Sequence, residues 1–158
     1  MLPDVIGRSM ATLAATRAGA RVYRAVLPPL DRLTKQLTGG KRTFTELVLP
    51  TLVLVTTGRK TGLVRRQPLV FQPVDNGWGV VGSNWGQAHH PAWTHNLLAT
   101  PAATVEVGGD ELAVVARQLE GDERDAVYAR FERLSPNYAE YRSWSGDRQI
   151  RVFALERA

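Results

Sequence analysis

The chain has 158 residues, of which 44% are hydrophobic, enough for one buried core and too few for two ordinary domains. It has no cysteine, which excludes disulfide frameworks, thiolate zinc sites and cysteine nucleophiles. The net charge of +5 is uneven, because residues 1–66 contain twelve basic and three acidic side chains and the rest contain eight and twelve. Such a basic half predicts an anionic partner: a nucleic acid, a lipid surface or a polyanionic cofactor.

The N-terminal segment, residues 1–40, is predicted to be a helical extension ahead of a main domain at 41–158. Its apolar stripe at helical spacing, with arginines on the opposite face, consists of Ala15, Ala18, Val22 and Val26. The Pro28–Pro29 pair is predicted to end this helix. A short second helix is then predicted from Leu30, Leu33 and Leu37. The extension is expected to pack on the main domain or to touch an anionic membrane surface transiently.

The location of the protein is predicted from its hydropathy. No segment has the ~18 consecutive apolar residues that a membrane-spanning helix needs. The first residues lack a lysine-rich start followed by an apolar block, so no secretory signal is evident. The expected location is therefore cytoplasmic, with peripheral contact at the inner face of the cell membrane if the N-terminal helix binds lipid.

The main domain is predicted to be mainly β, with six strands: Thr51–Thr57, Leu63–Val74, Trp78–Ser83, Ala103–Val107, Glu111–Leu119 and Ile150–Glu156. Tight turns at Asp75–Gly77 and Gly108–Asp110 join hairpins, and Pro68 marks a bulge or a sheet edge. Helices are predicted in three places: from Pro91, from about Asp122, and over Pro136–Trp144. This order favours a single antiparallel barrel with packed helices.

A basic turn between the first two predicted strands is the strongest local feature. Its sequence, Gly-Arg-Lys-Thr-Gly over Gly58–Gly62, lets the backbone approach a ligand and exposes successive N–H groups. Arg59, Lys60 and Arg65 can complement phosphate or carboxylate groups. The spacing is not that of a Walker A loop. The competing interpretation is a solvated basic hairpin without a ligand.

A second feature is the polar loop after the third predicted strand. Ser83 and Asn84, followed by a helix that starts near Pro91, suit the rim of a planar anionic ligand. The competing interpretation is an ordinary loop with Trp93 in the core. The three histidines, His89, His90 and His95, have no zinc-ligand spacing, so no metal is predicted.

A third feature is a stripe of aromatic residues. Tyr138, Tyr141 and Trp144 recur at every third position, which places their rings on one face of a helix. Such a wall can hold a flat substrate over a cofactor. An aromatic stripe is also typical of a packed core, and the pattern alone leaves both interpretations open.

Together, three separated motifs resemble the deazaflavin-dependent nitroreductase family, whose members are F420H2-dependent reductases with a split β-barrel. The motifs are Thr-Thr-Gly-Arg-Lys-Thr-Gly, His-Pro-Ala-Trp and Ser-Pro-Asn-Tyr-Ala-Glu-Tyr, within about residues 40–158. The resemblance implies coenzyme F420 as cofactor and hydride transfer from C5 of the reduced deazaflavin to an organic acceptor. Quinones, nitroaromatics and other activated rings are the expected acceptors.

The same resemblance implies the site residues. Contacts to the phosphate and oligoglutamate tail are expected from Arg59, Lys60, Thr61 and Arg65, with the tail running along Lys41 and Arg42. Contacts to the ring side are expected from Arg66, Gln67, Pro68, Leu69 and Val70. The deazaflavin edge is expected at Val81, Gly82, Ser83 and Asn84, and the other flank at Ala92, Trp93, Thr94, His95 and Asn96. Tyr138 is expected near both the ring and the substrate.

The acceptor pocket implied by the resemblance consists of Val70, Ser135, Tyr138 and Tyr141. The proton for the product is expected from Tyr138, Ser83 or solvent. Relatives that reduce bicyclic nitroimidazoles tend to have an aromatic residue where this chain has Val70 and a tyrosine where it has Ser135. Both differences open the pocket, so reduction of such drugs is not expected here.

Three other functions share parts of this pattern. A non-catalytic F420 carrier would have the same binding motifs, and an FMN-binding split-barrel reductase would have the same fold. A nucleic-acid-binding module is disfavoured, because residues 1–66 contain only Tyr23 and Phe44 as aromatic side chains. Split barrels often form homodimers, and the sequence allows one without requiring it.

Overall fold

The structure, a computed structural model, describes residues 17–37 and 49–158. Helix α1 runs from Arg17 to Leu37 and continues through Pro28 and Pro29, so the prediction that this pair ends the helix was wrong. Because proline has a helix-compatible φ, it costs the helix two hydrogen bonds there without forcing the chain to turn. The predicted stripe residue Ala15 and the predicted tail contacts Lys41 and Arg42 lie outside the described residues.

Six antiparallel strands form a closed barrel, as predicted. The strands are β1 (Thr51–Thr57), β2 (Val64–Val74), β3 (Gly77–Val81), β4 (Ala102–Val107), β5 (Asp110–Leu119) and β6 (Val152–Arg157). Their order around the barrel is β1, β2, β3, β6, β5, β4, with β4 pairing back onto β1. The pairing of β4 with β1 leaves neither of these strands as a sheet edge that could attract other strands.

Three helices accompany the barrel: α2 (Ala92–Ala99), α3 (Gly121–Leu134) and α4 (Asn137–Trp144). These agree with the predicted helices to within one residue at their starts. No helix of the two described ranges is both long and apolar enough to cross a membrane.

Strand β2 changes partner halfway along its length. Residues 64–70 pair with β1, whereas residues 71–74 pair with β3. Pro68 pairs with Val53 on one side only, which is where a residue without an N–H is tolerated. The prediction of a sheet edge at Pro68 is therefore confirmed, and the opening beside this half of β2 leaves it exposed.

The core consists of two clusters. The first fills the barrel, with Trp78, Trp93, Leu97 and Phe153 among its buried members. The second lies between the barrel and helices α3 and α4, with Tyr128, Phe131, Tyr141 and Ile150 among its members. The alternation of buried and half-buried residues along β1 shows why this strand forms: Leu52, Leu54 and Thr56 point inward.

Candidate functional site

The basic turn forms the tip of the β1–β2 hairpin. The Gly58 N–H donates to the Leu63 carbonyl at 2.8 Å, and the Gly62 N–H donates to the Gly58 carbonyl at 2.7 Å. A Cβ at Gly58 would lie 2.9 Å from the Thr61 hydroxyl and 3.1 Å from the Leu63 carbonyl, so a larger residue would have to displace both groups. The tip presents Arg59, Lys60 and Thr61 to solvent.

Asn96 on α2 fixes this tip from behind. Its side-chain carbonyl accepts from the Arg59 N–H at 3.0 Å, and its amide donates to the Thr56 hydroxyl at 3.1 Å. Asn96 and Thr56 are both buried. The predicted cofactor residues Asn96 and Arg59 are thus brought together, although the Asn96 side chain binds the Arg59 backbone and the Thr56 hydroxyl of the hairpin.

Arg65 and Arg66 lie on opposite faces of β2. Arg65 pairs in register with the inward-pointing Thr56, and a Cβ at Gly58 would lie 3.6 Å from its Cγ. Arg66 pairs in register with Val55 and forms an ion pair with Glu106 on the outer face. Of the two predicted cofactor arginines, Arg65 shares the face of the hairpin tip and Arg66 does not.

The loop between β3 and α2, residues 82–91, adjoins the same helix. A Cβ at Gly82 would lie 2.8 Å from the Thr94 methyl, so Gly82 lets this loop pack directly on α2. Asn84, Trp85 and Gly86 all have positive φ, at 49°, 57° and 71°. The strand predicted to reach Ser83 ends at Val81 because the chain turns sharply here.

Two arginines from the segment before β6 hold this region in place. Arg148 donates to three carbonyls of the loop, and Arg151 donates to the Thr94 hydroxyl at 3.2 Å. Neither residue is indicated by the sequence, because each acts on partners more than fifty positions away along the chain. Burial lowers the pKa of Arg148 from its ordinary value, with a smaller contribution of the same sign from Arg151.

The rings of His90 and His95 meet edge to face, with centroids 5.9 Å apart. Each Nδ1 faces an arginine. Nη1 of Arg148 lies 3.4 Å from Nδ1 of His90, and Nη1 of Arg151 lies 3.3 Å from Nδ1 of His95. Burial and then Arg151 and Arg148 lower the pKa of His90 to about 4. Burial, Arg151, Arg59 and Lys60 also lower the pKa of His95. Both imidazoles are therefore neutral at pH 7 and accept through Nδ1.

The His90 shift predicts a pH dependence of stability. Between pH 6.5 and about 4 the unfolded state takes up a proton that folded His90 refuses, so the free energy of unfolding falls as the pH is lowered. Urea denaturation measures this fall in the free energy of unfolding. In His90→Gln the fall between pH 6.5 and about 4 should be smaller than in the wild type by about 1 kcal/mol, a value reduced to allow for the partial exposure of His90. His89→Gln, at the exposed neighbouring position, should keep the wild-type profile. Parallel profiles for all three proteins would contradict this origin.

The predicted aromatic wall forms on α4. Ring centroids lie 5.6 Å apart for Tyr138 and Tyr141 and 5.9 Å apart for Tyr141 and Trp144. The Tyr138 ring also lies 5.1 Å from that of Phe131, so part of the wall belongs to the core. Trp85, which the sequence interpretation did not single out, lies 6.0 Å from Tyr141 and connects the wall to the β3–α2 loop.

The predicted acceptor residues converge on this wall. Val70 and Tyr138 pack against the cluster that contains Val81 and Tyr141. Ser135 caps the end of α3, where its carbonyl accepts from the Tyr138 N–H at 3.1 Å. Burial raises the pKa of the Tyr138 hydroxyl, which therefore stays protonated and able to donate a hydrogen bond.

Other predicted residues lie apart from this convergence. Trp93 and Leu69 belong to the first core cluster, with the Trp93 ring 5.7 Å from that of Phe153, as the core interpretation expects. Gln67 and Ala92 are exposed. Across residues 17–37 and 49–158, no three His, Cys, Asp or Glu side chains come close enough together to hold a metal ion.

A polar cavity of about 370 Å³ lies behind His90, and it is lined among others by Arg124, Arg148 and Arg151. A second cavity of about 320 Å³ lies against β1 and β4, beside Thr57 and Thr104. The predicted cofactor residues line neither of these two cavities, so the candidate site lies outside both.

The sequence and the fold are similar to those of known proteins. A family model described as F420H(2)-dependent quinone reductase matches residues 31–157. An F420H(2)-dependent quinone reductase of Mycobacterium tuberculosis is 33% identical over 113 residues, which cover 68% of this chain and 74% of that protein. A solved F420-H2 dependent reductase, FDR-A, is 36% identical with a TM-score of 0.62, covering 68% of this chain and 94% of that one. A chain solved as a domain-swapped dimer is 34% identical with a TM-score of 0.63, covering 84% and 98%.

These matches define the protein as a split-barrel oxidoreductase. It belongs to the F420H(2)-dependent quinone reductase family. The predicted family, fold, enzyme class and F420 dependence are thereby confirmed. The family match begins at residue 31, inside the segment predicted as a separate extension, and the division at residue 40 stays a prediction.

Proposed function

We propose that this chain reduces a small quinone-class acceptor, with F420H2 bound across the hairpin tip and the β3–α2 loop. The observation that carries the proposal is the set of three cations at the hairpin tip and at the start of the strand that follows it. Arg59, Lys60 and Arg65 are exposed, and none forms an ion pair with a carboxylate of the described residues. An acidic, phosphate-bearing tail is the ligand that complements such a group.

The residues present fit the cofactor in two further ways. The N–H groups of Ser83 and Asn84 have no hydrogen-bond acceptor among the described residues, which leaves them free for the carbonyl edge of a planar ring. Val70 and the α4 aromatics, which belong to or pack against the second core cluster, provide apolar surroundings next to this loop. Bound F420H2 supplies the hydride, which is the difficult chemistry of the reaction.

The chain's own residues then position two flat rings and exclude water. The half-buried Tyr138 offers a ring on which a planar acceptor can stack, and the half-buried Ser135 at its edge leaves room for that ring. Tyr141, predicted as an acceptor contact, is buried in the second core cluster and supports Tyr138 from behind. The proton that the reduced product needs comes from solvent, from the Ser83 hydroxyl or from the Tyr138 hydroxyl, although burial makes the last of these a weaker acid than an ordinary tyrosine. A quinone suits this wall because it is flat, apolar and readily takes up a hydride.

The charge proposal predicts the effect of neutralising the tip. Replacing Lys60 and Arg65 together with glutamine should raise the Kd for F420 about 30-fold, because two charge-assisted contacts are lost from an exposed site. The wild-type Kd should also rise with salt, and this slope should flatten in the double variant. Fluorescence titration at several ionic strengths measures both quantities.

A control for the loss of positive charge elsewhere is Arg130→Gln with Arg133→Gln, which removes two exposed arginines of α3 without touching the hairpin. Its Kd should equal that of the wild type. Arg66→Gln, on the outer face with Glu106, should change the Kd less than Arg65→Gln. An unchanged Kd in the Lys60 and Arg65 double variant would show that the tail binds elsewhere.

Turnover distinguishes an enzyme from a carrier of the cofactor. Oxidation of F420H2 should be catalytic with menadione, and titration with FMN should give far weaker binding than titration with F420. Stoichiometric oxidation without turnover would favour the carrier. Tight FMN binding would favour the FMN-binding reductase.

We further propose transient contact between α1 and an anionic lipid surface. Val22, Val26, Leu33 and Leu37 are all exposed and share one face of this helix. Exposed Arg21 and Arg32 flank that face and complement anionic head groups. Co-sedimentation with phosphatidylglycerol vesicles but not with phosphatidylcholine vesicles would support this contact, and equal recovery with both would refute it.

Association of two copies is a separate proposal. The similar chain that was solved as a domain-swapped dimer provides its support. Light scattering across a range of protein concentrations measures the mass directly, and a monomer at every concentration would refute the proposal.

A further inference from the structure

We propose that Arg148 is a positioning residue, which turns the β3–α2 loop so that the N–H groups of Ser83 and Asn84 face the ligand. The inference rests on the proposed function for the identity of that ligand. It assigns a role to a residue that lies outside the family motifs found in the sequence.

Arg148 uses all of its donor nitrogens on one side of this loop. Its Nη2 donates to the Ser83 carbonyl at 2.7 Å and its Nη1 to the Gly82 carbonyl at 3.0 Å. Its Nε donates to the Gln87 carbonyl at 2.9 Å, and Nη1 also lies 3.4 Å from Nδ1 of His90. A planar guanidinium with donors in a fixed fork is the side chain that can hold three carbonyls at once.

The direction of the N–H groups follows from the planarity of the peptide bond. The described peptide bonds are all trans, so each carbonyl points opposite to the N–H of the next residue. With the Gly82 and Ser83 carbonyls on Arg148, the N–H groups of Ser83 and Asn84 point away from it. Neither N–H meets an acceptor in the described part of the chain. Two adjacent donors are therefore presented together, as an electron-rich ring edge requires.

The loop is strained and would not keep this shape unaided. Asn84 and Trp85 hold left-handed φ values of 49° and 57°, a region that residues other than glycine seldom adopt. Such conformations persist where surrounding contacts over-determine them. Arg148 supplies three of those contacts, and the Asn84 amide adds one to the His89 carbonyl at 3.0 Å.

The backbone around Arg148 is itself held. The Ser145 hydroxyl lies 3.1 Å from the Arg148 carbonyl, and Ser145 is buried. The buried Arg124 donates to the Ile150 carbonyl from Nε at 3.2 Å and from Nη2 at 3.0 Å. The backbone that carries the Arg148 side chain is thus held by neighbouring hydrogen bonds. A side chain that orients a loop needs such a fixed attachment.

The cavity behind the loop makes the role testable by chemical rescue. Arg148 lines this polar space of about 370 Å³, so truncation to alanine enlarges an existing cavity rather than opening a new one. A free guanidinium ion can enter there and reach the three carbonyls. Urea, similar in shape but uncharged, provides the comparison.

In Arg148→Ala we expect the Kd for F420 to rise about tenfold, with guanidinium at millimolar concentration restoring most of the affinity and urea restoring none. The Ser83 and Asn84 amide signals of the ligand-free protein should shift in the ¹H–¹⁵N spectrum and return with guanidinium. Arg148→Lys keeps the charge but cannot span three carbonyls, and it should show the same changes in a chain that keeps its net charge. Arg130→Ala removes an exposed arginine that donates to the Pro73 carbonyl, and it should change neither readout.

The two readouts separate this inference from the proposed function. Unmoved Ser83 and Asn84 amides in both Arg148 variants would overturn the positioning role whatever the protein binds. A wild type that ignores F420, with amides that still move, would overturn the proposed ligand and leave the loop orientation supported. Moved amides with an unchanged Kd would show that these N–H groups do not contact the cofactor, which overturns the inference.

Discussion

Asn96→Ala should lower the free energy of unfolding by about 3 kcal/mol and raise the Kd for F420 at least tenfold. The substitution leaves the Arg59 N–H and the Thr56 hydroxyl without their partner, and Thr56 and Asn96 are both buried. Unpaired buried polar groups cost about 1–3 kcal/mol each. The loss of affinity has a different cause, because the hairpin tip is then no longer fixed to α2. Urea denaturation and fluorescence titration measure the two effects separately.

Thr56→Val separates the two hydrogen bonds of Asn96. It removes the contact to β1 but keeps the one to the Arg59 N–H, so stability should fall while the Kd changes less than threefold. The pattern expected is therefore two destabilised proteins of which only one binds weakly. If Asn96→Ala loses stability and still binds F420 like the wild type, the hairpin tip does not hold the cofactor.

The barrel could be predicted because its signals are local. Alternation along β1, the Asp75–Asn76 turn and the paired Gly108–Gly109 turn, with φ of 62° and 94°, each follow from a few neighbouring residues. The error at Pro28–Pro29 has a physical cause as well. Proline weakens a helix without setting its end, and the surrounding residues decide whether it continues.

The candidate site could be predicted only in part. Its hairpin cations lie in one contiguous motif, so the sequence shows them directly. The residues that hold the motif do so across the fold: Asn96 acts 37 and 40 positions away, and Arg148 acts 61 to 66 positions away. Nothing in the local pattern around Arg148 distinguishes it from a solvated loop arginine. Arg65 and Arg66 lie on opposite faces because side chains alternate along a strand. Which of the two shares the face of Thr56 depends on the register between β1 and β2, which the local sequence does not show.

Gly86→Ala should destabilise the β3–α2 loop by about 3 kcal/mol and reduce turnover with a quinone more than it weakens F420 binding. Gly86 has a φ of 71°, and a Cβ there would lie 3.0 Å from the Trp144 Cβ and 3.1 Å from the Tyr141 Cα. The left-handed conformation accounts for about 1 kcal/mol of this cost. The rest comes from pushing α4 away from the loop, which displaces the aromatic wall on which the acceptor is proposed to stack.

Gly108→Ala isolates the conformational part of that cost. Gly108 has a φ of 62°, a Cβ there would meet no described atom within 4 Å, and the residue lies in the β4–β5 turn, away from the site. This variant should lose about 1 kcal/mol in urea denaturation and keep wild-type kinetics. The difference between the two alanine variants measures the contact between the loop and α4, and steady-state kinetics with menadione should show its effect in kcat. Equal kcat values for both variants would mean that the acceptor does not use the aromatic wall, because α4 moves in only one of them.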